Sequence, residues 1–433
     1  MVKKSKNFLK VGYESQAHST TPKIYISAFL VLTFTWLLNC AAVLNSYWSG
    51  DDWPNSQTPY WIMWRFGSVS KTYVLEEALF WNNQWMNGAG RFYPIHWIES
   101  RFIFSYLTGL WQYKFLQSLA LFIAGMLFTY IVYLFSKSQV LAFSTLFFLS
   151  LTVQFRRDFD PHIAYALMLP SILIKIIIGL IFSYTAGKSH RFWRSLGWSS
   201  LSGIFLFLAM STYEFAFLLF PTFIFAYFVG VGFRVNQYNL LHNKKFLSQL
   251  LHLLRLLPII GSWLAYGVFV FGYLRPNATS ISGTYLLGLS WKSISVFFSQ
   301  ALMGFPTISF RYSDLDVTVP TFLLLFLVFM AIKNSFISYF LTSNSLKVFR
   351  NYEKIQIKRY GNSKSNSIYI SLISLNFILA PGLMMAMQPT WWERANLAQS
   401  YLGVMITEFG TALLLAIFVN LFVRKNFLVK LRS

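Results

Sequence analysis

Residues 24–48 read IYISAFLVLTFTWLLNCAAVLNSYW, an uncharged and largely apolar run that is followed directly by SGDDW at residues 49–53. The run exceeds the length of about 20 residues that a helix needs to span a membrane. It is too long for the core of a signal peptide and lacks a convincing cleavage site, so we predict a retained first membrane span. Two adjacent carboxylates, Asp51 and Asp52, therefore stand at the mouth of that span.

The composition of the whole chain indicates a membrane protein. Of its 433 residues, 56% are hydrophobic and 12% are charged, whereas charged residues make up about a quarter of a soluble domain. A net charge of +22 would suggest nucleic-acid binding in a soluble protein. In a membrane protein the placement of Lys and Arg reports orientation instead. We therefore expect a single all-α integral membrane domain over residues 1–433, surrounded by membrane lipids and without a nucleic-acid partner.

Hydropathy divides the chain into about ten transmembrane helices. The predicted spans are residues 24–48, 115–135, 140–155, 163–184, two spans within 198–232 that meet at a turn over 211–214, and then 256–274, 320–341, 368–387 and 401–423. Basic residues cluster within residues 1–23 and again in the predicted inner loops and at the end of the chain. By the positive-inside rule, both chain ends should lie in the cytoplasm.

Two of the predicted outer loops are long, the first over residues 49–114 and the fourth over residues 275–318. Apolar residues recur at helical spacing from Val74 to Met86 in the first loop and from Ile294 to Phe305 in the fourth. This pattern predicts amphipathic helices that lie in the membrane interface. The alternative is that these helices merely cap the bundle.

All acidic residues except Glu14 and Glu353 fall in the predicted outer half. Acids contribute little to orientation, so their placement favours chemistry on the outer face; the alternative is that the inner loops are simply filled with Lys and Arg. Paired carboxylates such as Asp51 and Asp52 can supply a base, bind a metal or hold a ligand. No third acid lies at short spacing, so we expect no cofactor, with a divalent cation as the alternative.

The order of these features resembles the GT-C superfamily of membrane glycosyltransferases. The predicted order begins with a cytoplasmic N-terminus, a first span and an acidic pair. A long first outer loop with interfacial helices follows, and then many later spans. Gly90-Arg91-Phe92-Tyr93-Pro94, following Asp51-Asp52-Trp53, is similar to the small bacterial members that decorate surface polysaccharides. Segments 211–214 and 394–410 also fit, although no large soluble C-terminal domain is present.

The resemblance implies transfer of a sugar, with inversion, from a polyprenyl-phosphate donor to a surface polysaccharide, teichoic acid or glycolipid outside a bacterial plasma membrane. It implies a general base in the first outer loop, for which Asp51 is the first candidate and Asp52 the second. Cations must meet the phosphate as it leaves. The candidates for binding substrate or phosphate are Arg91, Arg156, Arg157, His162, Glu214, Lys292 and Arg394.

Two of these candidates have structural alternatives. Residues 156–162, RRDFDPH, form a dense basic group against the inside-positive trend, which favours contact with phosphate or acceptor; an Arg–Asp network that closes the turn is the alternative. Glu214 lies close to the hydrocarbon region, where an ionisable group is a functional candidate by default. It can bind sugar hydroxyls or pair with an arginine, or it is an ordinary acid at headgroup level. Glu408 in the last predicted span has the same alternatives.

Two other function classes stay open. A flippase or transporter of lipid-linked sugars would need charges or broken helices at mid-membrane, and often contains an internal repeat. Lys175, Glu214 and several Pro-containing spans are the main features of that kind, and no repeat is obvious. A polysaccharide polymerase or ligase would also need cations on the outer face.

Overall fold

The computed structural model describes residues 11–48, 50–153, 164–165, 167–235, 245–279, 288–304, 363–389, 392 and 403–430. Regular secondary structure in these residues is entirely helical. Short 3-10 helices cover Ala42–Asn45, Glu214–Leu219 and Arg275–Asn277, and a π-helical segment covers Val268–Leu274. The α-helices are α1 (Val11–Ala41), α2 (Asp52–Ser56), α3 (Thr58–Phe66), α4 (Lys71–Ala89), α5 (Pro94–Tyr106), α6 (Leu110–Ser136), α7 (Gln139–Thr152), α8 (Met168–Lys188), α9 (Phe192–Met210), α10 (Phe220–Val235), α11 (Lys245–Gly267), α12 (Trp291–Leu302), α13 (Ser363–Ala386) and α14 (Val404–Lys430).

Seven helices in the described part of the chain are long and apolar enough to cross a membrane. These segments are Ile26–Asn45, Leu110–Ser136, Met168–Lys188, Glu214–Gly232, Leu250–Asn277, Asn366–Ala386 and Val404–Leu421. The expected polytopic helical membrane protein is thereby confirmed. The predicted span 320–341 lies outside the described residues. The total of about ten spans and the side on which each end lies stay predictions.

The membrane helices pack through small and hydroxylated residues. α8 contacts α9, α10 and α6, while α13 contacts α14, α12 and α10. Between α8 and α10, the Ser183 hydroxyl donates to the Phe223 carbonyl at 2.6 Å. Between α9 and α8, the Ser202 hydroxyl donates to the Gly179 carbonyl at 2.9 Å. Such contacts suit helices in lipid, where close packing and interhelical hydrogen bonds, rather than water exclusion, hold neighbours together.

The contact between α8 and α10 depends on two glycines. A Cβ atom on Gly187 would lie 2.0 Å from the Tyr227 carbonyl oxygen, and one on Gly230 would lie 2.2 Å from the Tyr184 carbonyl oxygen. Gly187→Ala and Gly230→Ala should therefore each destabilise the protein by about 1–3 kcal/mol, because backbone has to move apart. Unfolding in detergent measures this effect. Gly197→Ala is the control, since nothing lies within 4 Å of its Cβ position, and equal stability of all three variants would contradict the prediction.

Helices α2 to α5 form a cap over one end of the bundle. α5 packs against α2, α3 and α4, and the Ile95 amide donates to the Ser211 carbonyl at 3.2 Å, at the end of α9. α4 and α12 are the helices that the apolar spacing predicted in the two long loops. Their position in a membrane interface stays a prediction. The predicted turn at 211–214 coincides with the break after α9, but Ser211, Thr212 and Glu214 are buried beneath the cap.

Candidate functional site

The structure gives the two adjacent aspartates different surroundings. Asp52, the first residue of α2, is fully buried. Its Oδ2 lies 3.4 Å from Nζ of Lys114, and its Oδ1 accepts a hydrogen bond from the Tyr113 hydroxyl at 2.8 Å. Lys114 is also fully buried and donates to Oε1 of Gln117 at 3.2 Å. The Asp52 carboxylate therefore links the start of α2 to α6.

Aromatic rings surround this buried ion pair. The Trp48 ring stacks on the Tyr113 ring with 5.2 Å between centroids, and Phe104 of α5 lies 4.8 Å from Tyr113. Phe104 and Tyr113 are themselves buried. Because the rings exclude water from the Asp52–Lys114 contact, the two charges interact more strongly there than at the surface. A substrate hydroxyl would have to displace these rings to reach Asp52.

Asp51 lies immediately before α2 and is exposed. Its backbone carbonyl accepts from the Asn55 amide at 3.2 Å, whereas its carboxylate accepts no hydrogen bond from the described residues. Nearby protein nevertheless removes part of its solvent, and this desolvation raises the pKa of the Asp51 carboxyl above the ordinary value. An accessible carboxylate with a raised pKa has the properties that proton abstraction requires.

A second charge cluster lies where the cap meets α9 and α11. Glu214 is fully buried, and Nη2 of Arg275 donates to its Oε2 at 2.8 Å. Nη2 of Arg91 lies 3.3 Å from its Oε1. Arg91 is buried, and the Arg275 side chain is 12% exposed. Two guanidinium groups thus meet one carboxylate in a region of little water, and counted over these three described side chains the Arg91–Glu214–Arg275 cluster has one net positive charge.

Gly90 allows the two arginines to meet. It ends α4 with φ of +64°, a left-handed conformation that suits glycine. A Cβ atom at this position would lie 2.7 Å from the Arg275 Cα atom, so the two backbones approach too closely for any side chain. The glycine of the Gly90–Pro94 segment thus places Arg91 opposite Arg275, with Glu214 between them.

Aromatic rings fix the Arg91 side chain. Its guanidinium carbon lies 4.4 Å from the Tyr93 ring centroid and 5.1 Å from that of Tyr213, and the two tyrosine rings stack with 5.1 Å between centroids. Burial raises the pKa of Tyr93 well above its ordinary value, so the phenol stays neutral. Tyr213 also lines a small cavity, whose other walls are Phe215, Pro381, Met384, Met385, Gln388 and Gly403. The positive cluster therefore lies beside an apolar cavity with one amide group.

A third polar contact joins α5 to α8. Nζ of Lys175 lies 2.6 Å from Oε1 of Glu99, and the Ser171 hydroxyl donates to Oε2 of Glu99 at 2.7 Å. Lys175 also donates to the Thr212 hydroxyl at 3.1 Å, next to the buried turn after α9. The charge at position 175, which hydropathy alone places within a membrane span, thus reaches the cap and is paired there.

His96 on α5 lies near three cations, namely Arg91, Lys175 and Arg101 of α5 itself. Desolvation, together with the charges of Arg101, Lys175 and Arg91, lowers the pKa of its imidazole to about 3. The ring packs against Trp97 with 5.5 Å between centroids. His96 is therefore neutral at physiological pH and adds no positive charge to the site.

The other sequence candidates divide into two groups. Lys292 is exposed near the start of α12, whose first turn is capped by the Ser290 hydroxyl at 3.3 Å from the Lys292 amide. Glu408 is fully buried in α14, and its carbonyl accepts from the Thr152 hydroxyl at 3.4 Å. Arg156, Arg157, His162 and Arg394 lie outside the described residues. Of the predicted binding residues, the structure brings Arg91 and Glu214 together.

Lys114, Arg275, Glu99 and Arg101 are residues that the sequence did not single out, although Arg275 and Arg101 belong to the few basic residues of the predicted outer face that could meet a phosphate. A signal was present for Lys114 and Arg275, since each is a basic residue at the end of an apolar run on the predicted outer side, where cations are scarce. Within the described ranges, no three His, Cys, Asp or Glu side chains stand close enough to hold a metal ion. A divalent cation at Asp51 and Asp52 stays the alternative prediction.

Comparison of the chain with protein-family models, characterised proteins and solved structures found no match.

Proposed function

We propose that the chain is a membrane glycosyltransferase of the GT-C type. In this proposal it moves a sugar from a polyprenyl-phosphate donor to a surface polysaccharide, teichoic acid or glycolipid on the outer face of a bacterial plasma membrane. The observation that carries the proposal is the buried Arg91–Glu214–Arg275 cluster, in which two arginines are oriented on one carboxylate. A lipid phosphate is an anion, and arginine is well suited to bind it.

Asp51 is the proposed general base. The acceptor hydroxyl oxygen attacks the anomeric carbon of the donor sugar from the face opposite the phosphate, and the Asp51 carboxylate takes the hydroxyl proton. The bond from the anomeric carbon to the phosphate oxygen breaks, and its electron pair leaves with the phosphate. Attack from the opposite face inverts the anomeric configuration. The exposure of Asp51 and its lack of a hydrogen-bond partner among the described residues support this role over Asp52.

The positive cluster is assigned to the leaving group. Negative charge grows on the phosphate as the glycosidic bond breaks, and cations that are already oriented stabilise it without reorganisation. Rings of Tyr93 and Tyr213 hold the Arg91 guanidinium in place, and Glu214 holds both arginines. Helix α5 connects this cluster with the proposed base. It begins at Pro94, three residues after Arg91, and it packs against α2, which begins directly after Asp51.

The test uses purified protein in proteoliposomes with a polyprenyl-phosphate sugar and candidate acceptors. Release of free lipid phosphate together with glycosylated acceptor is the expected result. Movement of the lipid or sugar across the bilayer without bond cleavage would replace the proposal with a flippase or transporter. Growth of a polymer, or transfer of a whole preassembled glycan, would indicate a polymerase or ligase.

Arg275→Gln should weaken apparent donor affinity by about 10- to 100-fold, in line with the loss of one charged hydrogen bond. With position 275 neutral, Arg91 and Glu214 cancel each other and no net charge remains for the phosphate. The measurement is the donor KM in the same assay, with folding checked by thermal unfolding. Arg275→Lys, which keeps the charge, should retain more of the affinity. An unchanged donor KM in Arg275→Gln would show that the cluster has a structural role and does not bind the donor phosphate.

A further inference from the structure

Arg101 on α5 is a buried cation whose hydrogen bonds go to neutral groups. Only 2% of the residue is exposed. Its Nη1 donates to Oδ1 of Asn55 at 3.0 Å and to the Thr58 hydroxyl at 2.7 Å. Among the described residues it forms no ion pair, which separates it from Arg91 and Arg275. A charge buried in this way is costly, so its position calls for a physical reason.

Indole rings supply part of the compensation. The guanidinium carbon of Arg101 lies 5.0 Å from the Trp97 ring centroid, 5.6 Å from that of Trp81 and 5.9 Å from that of Trp61. Cation–π contacts of this kind gain strength where water is excluded. Trp81 is itself held, since its indole nitrogen donates to Oε1 of Glu77 at 2.7 Å. Burial lowers the pKa of Arg101 to about 10, which still leaves it charged at physiological pH.

The two hydrogen bonds of Arg101 join three helices. Asn55 lies in α2, Thr58 begins α3, and Arg101 lies in α5. The backbone amide of Asn55 also donates to the backbone carbonyl of Asp51, one helical turn earlier. Arg101 therefore binds the C-terminal end of α2, whereas the contact between Asp52 and Lys114 holds its N-terminal end. The Thr58 hydroxyl, which accepts from Arg101, donates in turn to the Asn55 carbonyl at 2.6 Å, so Arg101 and Thr58 together hold the end of α2 that Asp52 does not.

We propose that Arg101 is a positioning residue, which clamps the α2–α3 junction to α5 and so fixes the backbone that presents the Asp51 carboxylate. This inference rests on the proposed function of Asp51 as general base. The clamp suits arginine because a planar guanidinium can stack on rings while donating two hydrogen bonds from one nitrogen. The compact ammonium of lysine lacks that geometry.

Arg101→Lys and Arg101→Gln should therefore both lower kcat by about 10²-fold, with little change in donor KM, because a displacement of about 1 Å at a catalytic group has that effect. Thr58→Val removes the hydrogen bond from Arg101 and the bond that the Thr58 hydroxyl donates to the Asn55 carbonyl, but it keeps the charge, and it should lower kcat in the same direction but less. Thr58→Ser keeps the hydroxyl and should therefore have the kcat of the unmutated protein. Arg65→Gln is the control, since Arg65 lies over the Phe80 ring at 4.1 Å and pairs with Glu77 of α4 at 3.0 Å, without bonding to α2.

A second measurement does not depend on activity. The chain has one cysteine, the buried Cys40. In a Cys40→Ala background, a nitroxide label on Trp53→Cys reports the motion of α2, since position 53 is 62% exposed. The label should be more mobile in the Arg101→Gln and Thr58→Val variants than in the Thr58→Ser variant.

The two measurements separate failure of this inference from failure of the proposed function. Unchanged label mobility in both Arg101→Gln and Thr58→Val would overturn the clamp, whatever the activity. Increased mobility with a normal kcat would show that the clamp does not position the base, which would also overturn the inference. Absence of sugar transfer by the unmutated protein would instead remove the proposed function, and with it the catalytic meaning of the clamp.

Discussion

Asp51→Asn should lower the rate of sugar transfer by about 10²–10⁴-fold, the usual contribution of a positioned general base. The substitution preserves size and polarity but removes the ability to accept a proton. Because Asp51 is exposed and its carboxylate has no hydrogen-bond partner among the described residues, the variant should unfold at the same temperature as the unmutated protein. The transfer assay in proteoliposomes measures the rate, and thermal unfolding in detergent measures the stability.

The pH dependence of the transfer rate is a second test of Asp51 as the general base. Desolvation raises the pKa of the Asp51 carboxyl, and the base acts only when it is deprotonated. The rate should therefore fall as the pH drops through this raised pKa, at a higher pH than for an ordinary aspartate. The residual activity of Asp51→Asn should lack this decline. Glu76→Gln, another exposed acid of the cap, is the control; normal turnover in Asp51→Asn would assign the base to another residue.

Asp52→Asn should instead act on stability, lowering the free energy of unfolding by about 3–5 kcal/mol, the usual effect of removing one member of a buried ion pair. Asp52 and Lys114 are both fully buried, so the lysine ammonium would lose its opposite charge in a place that water does not reach. The hydrogen bond from the Tyr113 hydroxyl would lose its charged acceptor as well. Denaturant-induced unfolding in detergent micelles measures this loss.

A double variant separates the structural role of Asp52 from a catalytic one. Asp52→Asn with Lys114→Met replaces both charges, and neutralised pairs often recover much of the stability that a single substitution loses. We expect the double variant to be more stable than Asp52→Asn and to regain sugar transfer in proportion. A double variant that is stable but inactive would show that Asp52 takes part in the chemistry, contrary to its buried position.

Several features of the fold follow directly from the order of residues. The apolar runs predict membrane helices, and the helices found at α1, α6, α8, α10, α11, α13 and α14 agree with them. Apolar spacing also predicts α4 and α12 within the two long loops. These predictions succeed because they depend on local properties, namely the length of an uncharged run and the period at which apolar side chains recur.

The candidate site is different, because its members are far apart in the chain. Glu214 and Arg91 were both candidates from sequence, but their contact needs Gly90 to lie against Arg275, which no local pattern reports. The turn at 211–214 was expected at the outer surface, and the cap of α2 to α5 buries it instead. Whether a charged residue at a helix end faces water or another helix depends on what covers that end.

The order of residues alone identified a helical membrane protein, because uncharged runs of membrane length are a property of consecutive residues. It also placed Asp51 and Asp52 together after the first span. Only the tertiary structure distinguished them, because Lys114 and Tyr113, more than sixty residues later, meet one carboxylate and not the other. Two neighbouring side chains on a turn point in different directions, and the partner that each one finds is decided by packing.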